Sequence, residues 1–357
     1  MWKITTGNNI DVLRTYEDNT FDSVVTDPPY GIAFLNKSWD QDTGALETWQ
    51  ECFRVLKPGG HLLAFSAART YHHLASNIEQ SGFEIRDQLM WLYGSGFPKA
   101  QDIGKGIDKR GVENDFHGWK TALKPAHEPI VMARKPFKGS TIDNVLEHGV
   151  GALNIDASRI GNEEITTSYN PGIKGKMAHG HTPEDNRTHK LEPHTGRFPS
   201  NVLGEVPDYQ KFFYCPKVSR AERHAGFENL PKRLCGPGGE DWVKVQEHQG
   251  NNKKGYTQDG TLGRMKDKMH QLQTGNNHPT VKPVELMKYL VRLVTPANGR
   301  VLDPFNGSGS TGMACVELGY DYVGCELDEN YVEIAEKRIK AWEEKHKGFV
   351  DLFEENA

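Results

Sequence analysis

The sequence contains one short run of residues, Asp27-Pro28-Pro29-Tyr30, that could hold an amino group attached to a flat aromatic ring. The Asp27 carboxylate can accept one hydrogen of such a group, and the carbonyl oxygen of Pro28 can accept the other. The two prolines fix the backbone and supply no N–H donor that would compete, while the Tyr30 ring offers a face for stacking. A rigid turn followed by a partly buried tyrosine would explain the same residues, so catalysis needs a second indication.

A second run, the glycine loop (residues 307–312, Gly-Ser-Gly-Ser-Thr-Gly), has the spacing of a nucleotide-binding turn. Glu326 follows about 20 residues later, where a carboxylate can accept hydrogen bonds from both hydroxyls of a ribose. Asp303, just ahead of the glycines, would repel a pyrophosphate and attract an α-ammonium group. An amino-acid-bearing cofactor therefore fits better than a dinucleotide. An NAD-dependent oxidoreductase would explain the glycines and Glu326 but would leave residues 27–30 without a role.

Apolar runs precede both motifs and predict the strands that position them. Residues 21–25 predict a buried strand that ends at the Asp-Pro-Pro-Tyr motif (residues 27–30), and residues 300–305 predict one that ends at the glycine loop. Ligands of open α/β sheets bind in a crevice outside the carboxyl ends of the strands. We therefore expect the two motifs to face one crevice.

The remaining pattern alternates helices with strands, which indicates an α/β fold. We predict strands at residues 61–65, 88–93, 129–133 and 322–327, and helices at 48–56, 71–80, 308–318, 330–345 and from Pro283 to a stop at Gly299. Between residues 137 and 275 the pattern dissolves into polar, glycine-rich segments. We therefore divide the chain into a catalytic half of the core (1–136), an inserted recognition region (137–275), a cofactor-binding half (276–345) and an acidic tail (346–357), which we expect to be frayed from Asp351.

Composition and charge limit the class of protein. The chain has 357 residues and a formal net charge of −5, which argues against coating nucleic acid by bulk attraction. Contact with DNA would therefore depend on locally basic stretches. Candidates for neutralising phosphates are Lys99, Lys105, Lys109, Arg110, Lys120, Lys124, Arg197, Lys211, Lys217, Arg220, Arg223, Lys232 and Arg233.

The cysteines and the chain start favour a cytoplasmic, metal-free protein. The five cysteines are widely spaced, which suits reduced thiols rather than a disulfide framework. Cys215, His224 and Cys235 match no zinc template, so no metal is expected. The N-terminus lacks a charged start followed by an apolar run, and no stretch approaches membrane-spanning length.

The longer segments around both motifs resemble amino-methyltransferases of DNA. Residues 301–311 (Val-Leu-Asp-Pro-Phe-Asn-Gly-Ser-Gly-Ser-Thr) look like the cofactor loop of that family, with Cys325-Glu326 and Tyr331 as its next motif. Residues 278–283 (His-Pro-Thr-Val-Lys-Pro) resemble the segment that precedes the loop. The catalytic motif comes first and the cofactor loop last, as in the permuted β class with its inserted recognition region. The resemblance covers roughly residues 1 to 136 and 276 to 340.

The resemblance implies a Rossmann-like sheet, S-adenosylmethionine as cofactor, and double-stranded DNA as substrate, with a homodimer as a further family expectation. Thr280 and Lys282 become candidates for the cofactor's carboxylate. Asn8 stands where family members commonly have an aspartate that contacts the cofactor's adenine, and its amide oxygen could accept the same hydrogen bond. The full set of implied cofactor-binding residues is Asn8, Asp27, Thr280, Lys282, Asp303, Phe305, Asn306, Gly307, Ser308, Gly309, Ser310, Thr311 and Glu326.

The Asp-Pro-Pro-Tyr motif then acquires a specific chemistry. An exocyclic amine of a base is a poor nucleophile because its lone pair is delocalised, so Asp27 and the Pro28 carbonyl would localise that lone pair toward the methyl donor. The base would be extruded from the duplex and stacked on Tyr30. Aspartate at the first position resembles the adenine-N6 enzymes, whereas cytosine-N4 enzymes more often have serine. We predict adenine, with cytosine N4 as the alternative.

The sequence also bears on two other functions and on several residues near the motifs. The motif Asn-Pro-Pro-Tyr of enzymes that methylate protein glutamine or RNA is absent, and an intact Asp27 argues against a DNA-binding protein that has lost activity. Phe34 and Trp39 could shape a base pocket or belong to the core. Residues 126–130 and 196–201 also resemble stretches seen in the family, but their residues suggest no mechanistic role.

Overall fold

The structure, a computed structural model, describes residues 1–32, 40–93, 100–166, 193–204, 218–227 and 280–354, with short pieces at 168–169, 189–190, 232–235, 270–273, 276 and 278. Its strands are β1 (Trp2–Thr6), β2 (Phe21–Thr26), β3 (Leu56–Phe65), β4 (Glu84–Leu92), β5 (His127–Arg134), β6 (Ile160–Ile165), β7 (Ser168–Tyr169), β8 (His189–Lys190), β9 (His194–Arg197), β10 (Val202–Gly204), β11 (Lys232–Cys235), β12 (His270–Gln273), β13 (Arg300–Asp303) and β14 (Asp321–Glu326). Its helices are α1 (Asn9–Leu13), α2 (Leu46–Val55), α3 (Tyr71–Gln80), α4 (Ile103–Asp108), α5 (Thr141–His148), α6 (Arg220–Arg223), α7 (Val284–Val294), α8 (Ser310–Leu318) and α9 (Glu329–Glu354), with a 3₁₀ turn at Asp156–Ser158.

An eight-stranded sheet in the order β1-β14-β13-β2-β3-β5-β4-β10 forms the centre of the protein. The first five strands in this order, β1, β14, β13, β2 and β3, run parallel to one another. The strand β5 pairs antiparallel with both β3 and β4. The prediction of an α/β, Rossmann-like sheet is confirmed. Along the chain, β2 is followed by β3 on one side, whereas β13 is followed by β14 on the other. The strand order therefore reverses between β2 and β13, which is where such sheets bind ligands.

Hydrophobic packing covers both faces of the sheet. Successive residues of β2 face opposite sides, so Val24 packs with the cluster that includes α1, α2 and α3, and Val25 packs with α7 and α8. On α7, Leu286, Met287 and Leu290 are buried, as the predicted apolar stripe requires. The helices on both faces thus hold β2 and β13 rigidly, and the loops after them inherit that rigidity.

The sequence missed or misplaced several elements. β1 and α1 were not predicted. β3 begins at Leu56, earlier than the strand predicted at residues 61–65. Gly60 lies within this strand, where a Cβ would be 2.9 Å from the Asp22 carbonyl oxygen. The predicted end of the last helix at residue 345 was too early, because α9 continues to Glu354 through a stretch without proline, so the expected fraying from Asp351 was wrong as far as Glu354. Residues 355–357 lie outside the described part of the chain.

Parts of the predicted insertion pack on the core. β10 adds to the sheet beside β4, with Leu203 opposite Trp91, and Leu203 is buried. In α5, the Asn144 amide donates to the carbonyl oxygens of Pro58 (3.0 Å) and Val150 (2.7 Å). The division at residue 137 therefore remains a prediction. None of the described helices is both long and apolar enough to cross a membrane.

Candidate active site

A cleft of about 1780 Å³ opens at the carboxyl ends of β2 and β13. The Asp-Pro-Pro-Tyr motif and residues 303–308 both line it. Asn8, His278, Thr280, Lys282 and Glu326 also line the cleft. The structure thus brings together both motifs and most of the sequence-predicted site residues. Gly309 does not line the cleft.

Asp27 is the centre of a polar cluster. Lys282, from the segment before α7, donates to Asp27 Oδ2 at 2.6 Å, and the Tyr30 hydroxyl oxygen lies 2.9 Å from Asp27 Oδ1. The same hydroxyl lies 2.8 Å from Oε2 of Glu128, which also lies 3.4 Å from the Lys282 ammonium. Burial, followed by the charges of Asp27 and Glu128, raises the pKa of Tyr30 well above its usual value. The hydroxyl therefore stays protonated at neutral pH.

Lys282 is buried, yet it remains charged. Burial lowers its pKa, but the nearby Asp27 and Glu128 carboxylates outweigh burial and hold the pKa above its ordinary value. Its ammonium also lies 4.9 Å from the centre of the Phe65 ring. The family resemblance had suggested a contact with the cofactor's carboxylate. In the structure this ammonium contacts the Asp27 carboxylate instead, and Thr280 is exposed and lines the cleft.

Asp40 is a site residue that the sequence did not indicate. Its carboxylate is 1% exposed and accepts the backbone N–H groups of Tyr30 (2.6 Å), Gly31 (3.0 Å) and Ile32 (3.3 Å). Three consecutive N–H groups directed at one carboxylate fix the course of the chain after Pro29. The only available signal was a carboxylate ten residues beyond the motif, which is too weak to predict this contact.

The glycine loop takes the sharp course that its sequence predicted. Gly307 and Gly309 have φ of +51° and +78°, a region that favours glycine. A Cβ on Gly307 would lie 3.0 Å from Nε2 of His278, and a Cβ on Gly309 would lie 3.0 Å from Cβ of Ala335 in α9. Burial lowers the pKa of His278 to about 4, so its ring is neutral.

Asp303 stabilises the loop from within. Its carboxylate accepts from the hydroxyls of Thr26 (2.6 Å) and Thr311 (2.7 Å) and from the Phe305 N–H (3.1 Å). Burial raises the pKa of Asp303 to about 6, against the effect of these hydrogen bonds. The predicted attraction of an α-ammonium group would act on a carboxylate whose two oxygens already bind protein donors.

Glu326 and Asn8 line the same cleft as Asp27. Glu326 accepts the Gly307 N–H at 2.8 Å and the Asp328 N–H at 2.9 Å, one on each oxygen, and each oxygen keeps a further lone pair. Burial raises its pKa, which the backbone donors oppose. The Asn8 oxygen accepts the Ile10 N–H at 2.9 Å and so begins α1.

The remaining predicted residues of the loop are held by neighbours. The Phe305 ring packs 5.7 Å from Trp49, and the Asn306 oxygen accepts from the Tyr322 hydroxyl at 2.8 Å. Ser308 and Ser310 are buried beside Arg338 of α9. These contacts make the loop part of the core rather than a mobile flap.

Arg338 and Glu222 form a second connection that the sequence did not reveal. Arg338 is fully buried and donates to the Ser308 carbonyl, to Ser308 Oγ (2.9 Å) and to the Glu222 carbonyl (3.0 Å). The Glu222 carboxylate accepts the N–H groups of Ser219 and Val284, both at 2.6 Å. Ser219-Arg220-Ala221-Glu222 is a capping-box pattern that could have predicted α6.

Several predicted DNA contacts have other partners or cannot be located. Lys120 pairs with Asp102 at 3.2 Å, Arg197 pairs with Glu163, and the half-buried Arg223 donates to the His278 carbonyl at 3.5 Å. Lys124 lines the cleft. Phe34, Trp39, Lys99, Lys211, Cys215 and Lys217, together with the side chains of Arg220, Lys232, Arg233 and Cys235, lie outside the described residues.

Among the described residues, no group of three or more His, Cys, Asp or Glu side chains could hold a metal ion. Cys52, Cys315 and Cys325 are buried free thiols.

Comparisons with known proteins identify a family for the chain. A sequence model of the N6/N4 DNA methylase family matches residues 21–337. Type II methyltransferase M.HindIII of Haemophilus influenzae is 28% identical over 301 residues, covering 82% of this chain and 68% of its own length. Type II methyltransferase M.HpaI of Haemophilus parainfluenzae is 22% identical over 345 residues, covering 94% of this chain and 74% of its own. Among solved structures, the M1.HpyAVI-SAM complex aligns with 95% of this chain and 100% of its own at a TM-score of 0.45 and 17% identity.

Proposed function

The chain belongs to the N6/N4 DNA methylase family and is a DNA methyltransferase of that class, and on this premise we propose that it methylates the N6 amine of adenine. The methyl donor in this proposal is S-adenosylmethionine, and the acceptor is a base extruded from double-stranded DNA. The observation that carries the proposal is that Asp27 and the glycine loop line one cleft.

The residues around the glycine loop fit a nucleoside cofactor with an amino-acid arm. Gly307 lines the cleft with φ of +51° and has no room for a Cβ beside His278, so glycine is what allows the backbone to make this sharp turn at the cleft. The Glu326 carboxylate keeps lone pairs for ribose hydroxyls, and the cleft is large enough for a nucleoside and a base together. When bound, S-adenosylmethionine supplies an electrophilic methyl group.

The Asp-Pro-Pro-Tyr motif prepares the amine to attack that group. Asp27 accepts one amine hydrogen and the Pro28 carbonyl accepts the other, which draws the nitrogen lone pair out of conjugation with the ring. Asp40 holds the backbone at Tyr30, so the two acceptors keep a fixed separation. Methylation would cost the nitrogen one proton, and the Asp27 carboxylate, as the acceptor of an amine hydrogen, would be placed to receive it.

Adenine is preferred over cytosine because of the acid at position 27. Aspartate at this position resembles adenine-N6 enzymes, as noted from the sequence. Cytosine N4 remains the alternative, since a carboxylate can accept a hydrogen from either amine.

Lys124 at the cleft and Lys105, Lys109 and Arg110 on or just after α4 are the proposed phosphate contacts. We place the enzyme in the cytoplasm with its DNA. A homodimer follows from the family resemblance alone, and a monomer mass by light scattering at working concentration would refute it.

Expression in a methylation-deficient bacterial host tests the reaction. Sequencing of the host DNA with detection of modified bases should find methylated adenine in a recurring sequence. The signal should vanish in Asp27→Ala and persist in Asp115→Ala, a control at an exposed position outside the cleft. Methylated cytosine would show that the acceptor is cytosine N4 rather than adenine N6. Unmodified DNA from the host that expresses the wild-type chain would refute the proposal.

A calorimetric titration tests the cofactor. S-adenosylmethionine should bind with a 1:1 stoichiometry, and NADH should show no heat of binding. Binding of NADH alone would favour an oxidoreductase.

A further inference from the structure

Glu128 is a carboxylate of the cleft that the mechanism above does not use. It stands near the start of β5, within residues 126–130, and its side chain is 21% exposed. Its Oε2 lies 2.8 Å from the Tyr30 hydroxyl and 3.4 Å from the Lys282 ammonium. Glu128 therefore contacts the same two side chains that contact Asp27.

The Tyr30 hydroxyl has a single proton and two carboxylates within reach. Asp27 Oδ1 lies 2.9 Å from it, and Glu128 Oε2 lies 2.8 Å from it. A phenol donates one hydrogen bond, so it serves one carboxylate at a time. Lys282 donates to the Tyr30 oxygen at 3.1 Å, which occupies an acceptor site of the phenol and leaves its proton for a carboxylate.

The two arrangements differ in what they leave for a substrate. Lys282 occupies Asp27 Oδ2 in both. When the Tyr30 proton points to Asp27, Oδ1 is also hydrogen-bonded and becomes a weaker acceptor. When the proton points to Glu128, Asp27 Oδ1 keeps no hydrogen-bond donor among the residues that the structure describes, and Asp27 lines the cleft.

We propose that Glu128 is a positioning residue for methyl transfer, because it draws the Tyr30 proton away from Asp27. Asp27 Oδ1 can then accept a hydrogen of the target amine at full strength. Glu128 acts through Tyr30 and need not touch the substrate. The inference rests on the proposed function, since it concerns how the same amine is held.

Glu128→Gln tests whether Glu128 and Asp27 compete for the Tyr30 proton, and it changes the shape of the side chain little. A neutral amide oxygen is a weaker acceptor than a carboxylate, so the Tyr30 proton should move to Asp27. We expect kcat for DNA methylation to fall on the order of 10-fold. KM for DNA and the affinity for S-adenosylmethionine, which also report folding, should stay within about twofold. The control Glu79→Gln, at an exposed position on α3, should keep the wild-type kcat.

A double-mutant cycle separates this role from a merely structural one. Tyr30→Phe removes the contested proton and keeps the ring, so Glu128→Gln should change kcat by less than about twofold in that background. An equal loss in both backgrounds would overturn the inference, and so would a wild-type kcat in Glu128→Gln. Absence of methylation by the wild-type chain would instead refute the proposed function, so the two failures are distinguishable.

Discussion

The carboxylate of Asp40 accepts the backbone N–H of Tyr30 at 2.6 Å, so one buried acid fixes the backbone at the end of the Asp-Pro-Pro-Tyr motif. The same carboxylate binds the next two N–H groups, of Gly31 and Ile32. Because Pro28 and Pro29 lack N–H groups, the loop cannot be held by its own donors before Tyr30. Asp40 therefore stabilises the arrangement of acceptors that the amine requires.

Asp40→Asn should weaken catalysis more than cofactor binding. The asparagine oxygen can still accept from Tyr30 and Gly31, but its NH₂ group would face the Ile32 N–H, and the charge is lost. We expect kcat to fall on the order of 10-fold, since small misplacements of reacting groups are costly. Single-turnover methylation of DNA measures the rate, and calorimetry measures the affinity for S-adenosylmethionine.

Asp42→Asn is the matched control. Asp42 also lines the cleft, but it is exposed and accepts the N–H of Gly44 at 2.9 Å rather than that of the loop. It should keep a rate within about twofold of wild type. Equal rates for the Asp40 and Asp42 variants would show that Asp40 does not organise the loop.

Asp303 should make stability depend on pH. Its pKa of about 6 in the folded protein exceeds the ordinary aspartate value, so the folded state binds the proton more tightly than the unfolded state. The resulting stabilisation is complete below about pH 4 and is lost as the pH rises through about 6. The wild-type protein loses this stabilisation as the pH rises, whereas Asp303→Asn has no group there that ionises. The free energy of unfolding of Asp303→Asn minus that of the wild type should therefore rise by on the order of 1 kcal/mol from about pH 5 to pH 8.

Thermal denaturation of the two proteins across this range checks the prediction through the difference between their Tm values. That difference should shift in favour of Asp303→Asn by a few degrees as the pH rises. The exposed control Asp115→Asn should show a difference that does not vary with pH. A difference for Asp303→Asn that also stays constant would mean that Asp303 has an ordinary pKa.

Local signals in the sequence were sufficient for the two motifs and the strands that lead into them. The apolar runs before Asp27 and Gly307 predicted β2 and β13, and helical spacing predicted α3 and α7. The sequence predicted only that the two motifs face one crevice, and the parallel pairing of β2 with β13 was not predicted, because it joins segments that lie far apart in the chain.

Contacts over long separations explain most of what the sequence did not reveal. Lys282 and Asp27 are 255 positions apart, and Arg338 and Glu222 are 116 apart. Periodicity and motif spacing in the sequence do not predict such pairs, since each pair depends on how whole helices and strands pack. Lys282 was identified through its neighbours in a motif, but its partner in the structure was not predicted.

Gly312 should tolerate no side chain, for reasons of packing rather than backbone conformation. It lies in α8, where a Cβ would contact Cδ1 of Ile339 and would lie 2.8 Å from the Tyr322 ring. Gly312→Ala should therefore destabilise the protein by about 1–3 kcal/mol. Gly106→Ala in α4 is the control, because its Cβ would meet no atom closer than 3.7 Å. Chemical denaturation should rank the two variants in this order, and equal midpoints would contradict the packing argument.

Arg338 should link the stability of the glycine loop to the segment around Glu222. Its guanidinium reaches the Ser308 carbonyl and the Glu222 carbonyl at once, and burial lowers its pKa only to about 9, so it stays charged at neutral pH. Lysine has a compact ammonium that cannot span both carbonyls. In Arg338→Lys one or both carbonyls would lose a buried donor, at about 1–3 kcal/mol each.

For Arg338→Lys we expect a lower Tm and an affinity for S-adenosylmethionine weaker by on the order of 10-fold, because Ser308 belongs to the turn of the glycine loop. The control Arg14→Lys, at an exposed position at the end of α1, should change neither quantity. Wild-type Tm and affinity in Arg338→Lys would show that the loop is held by Asp303 and its glycines without Arg338.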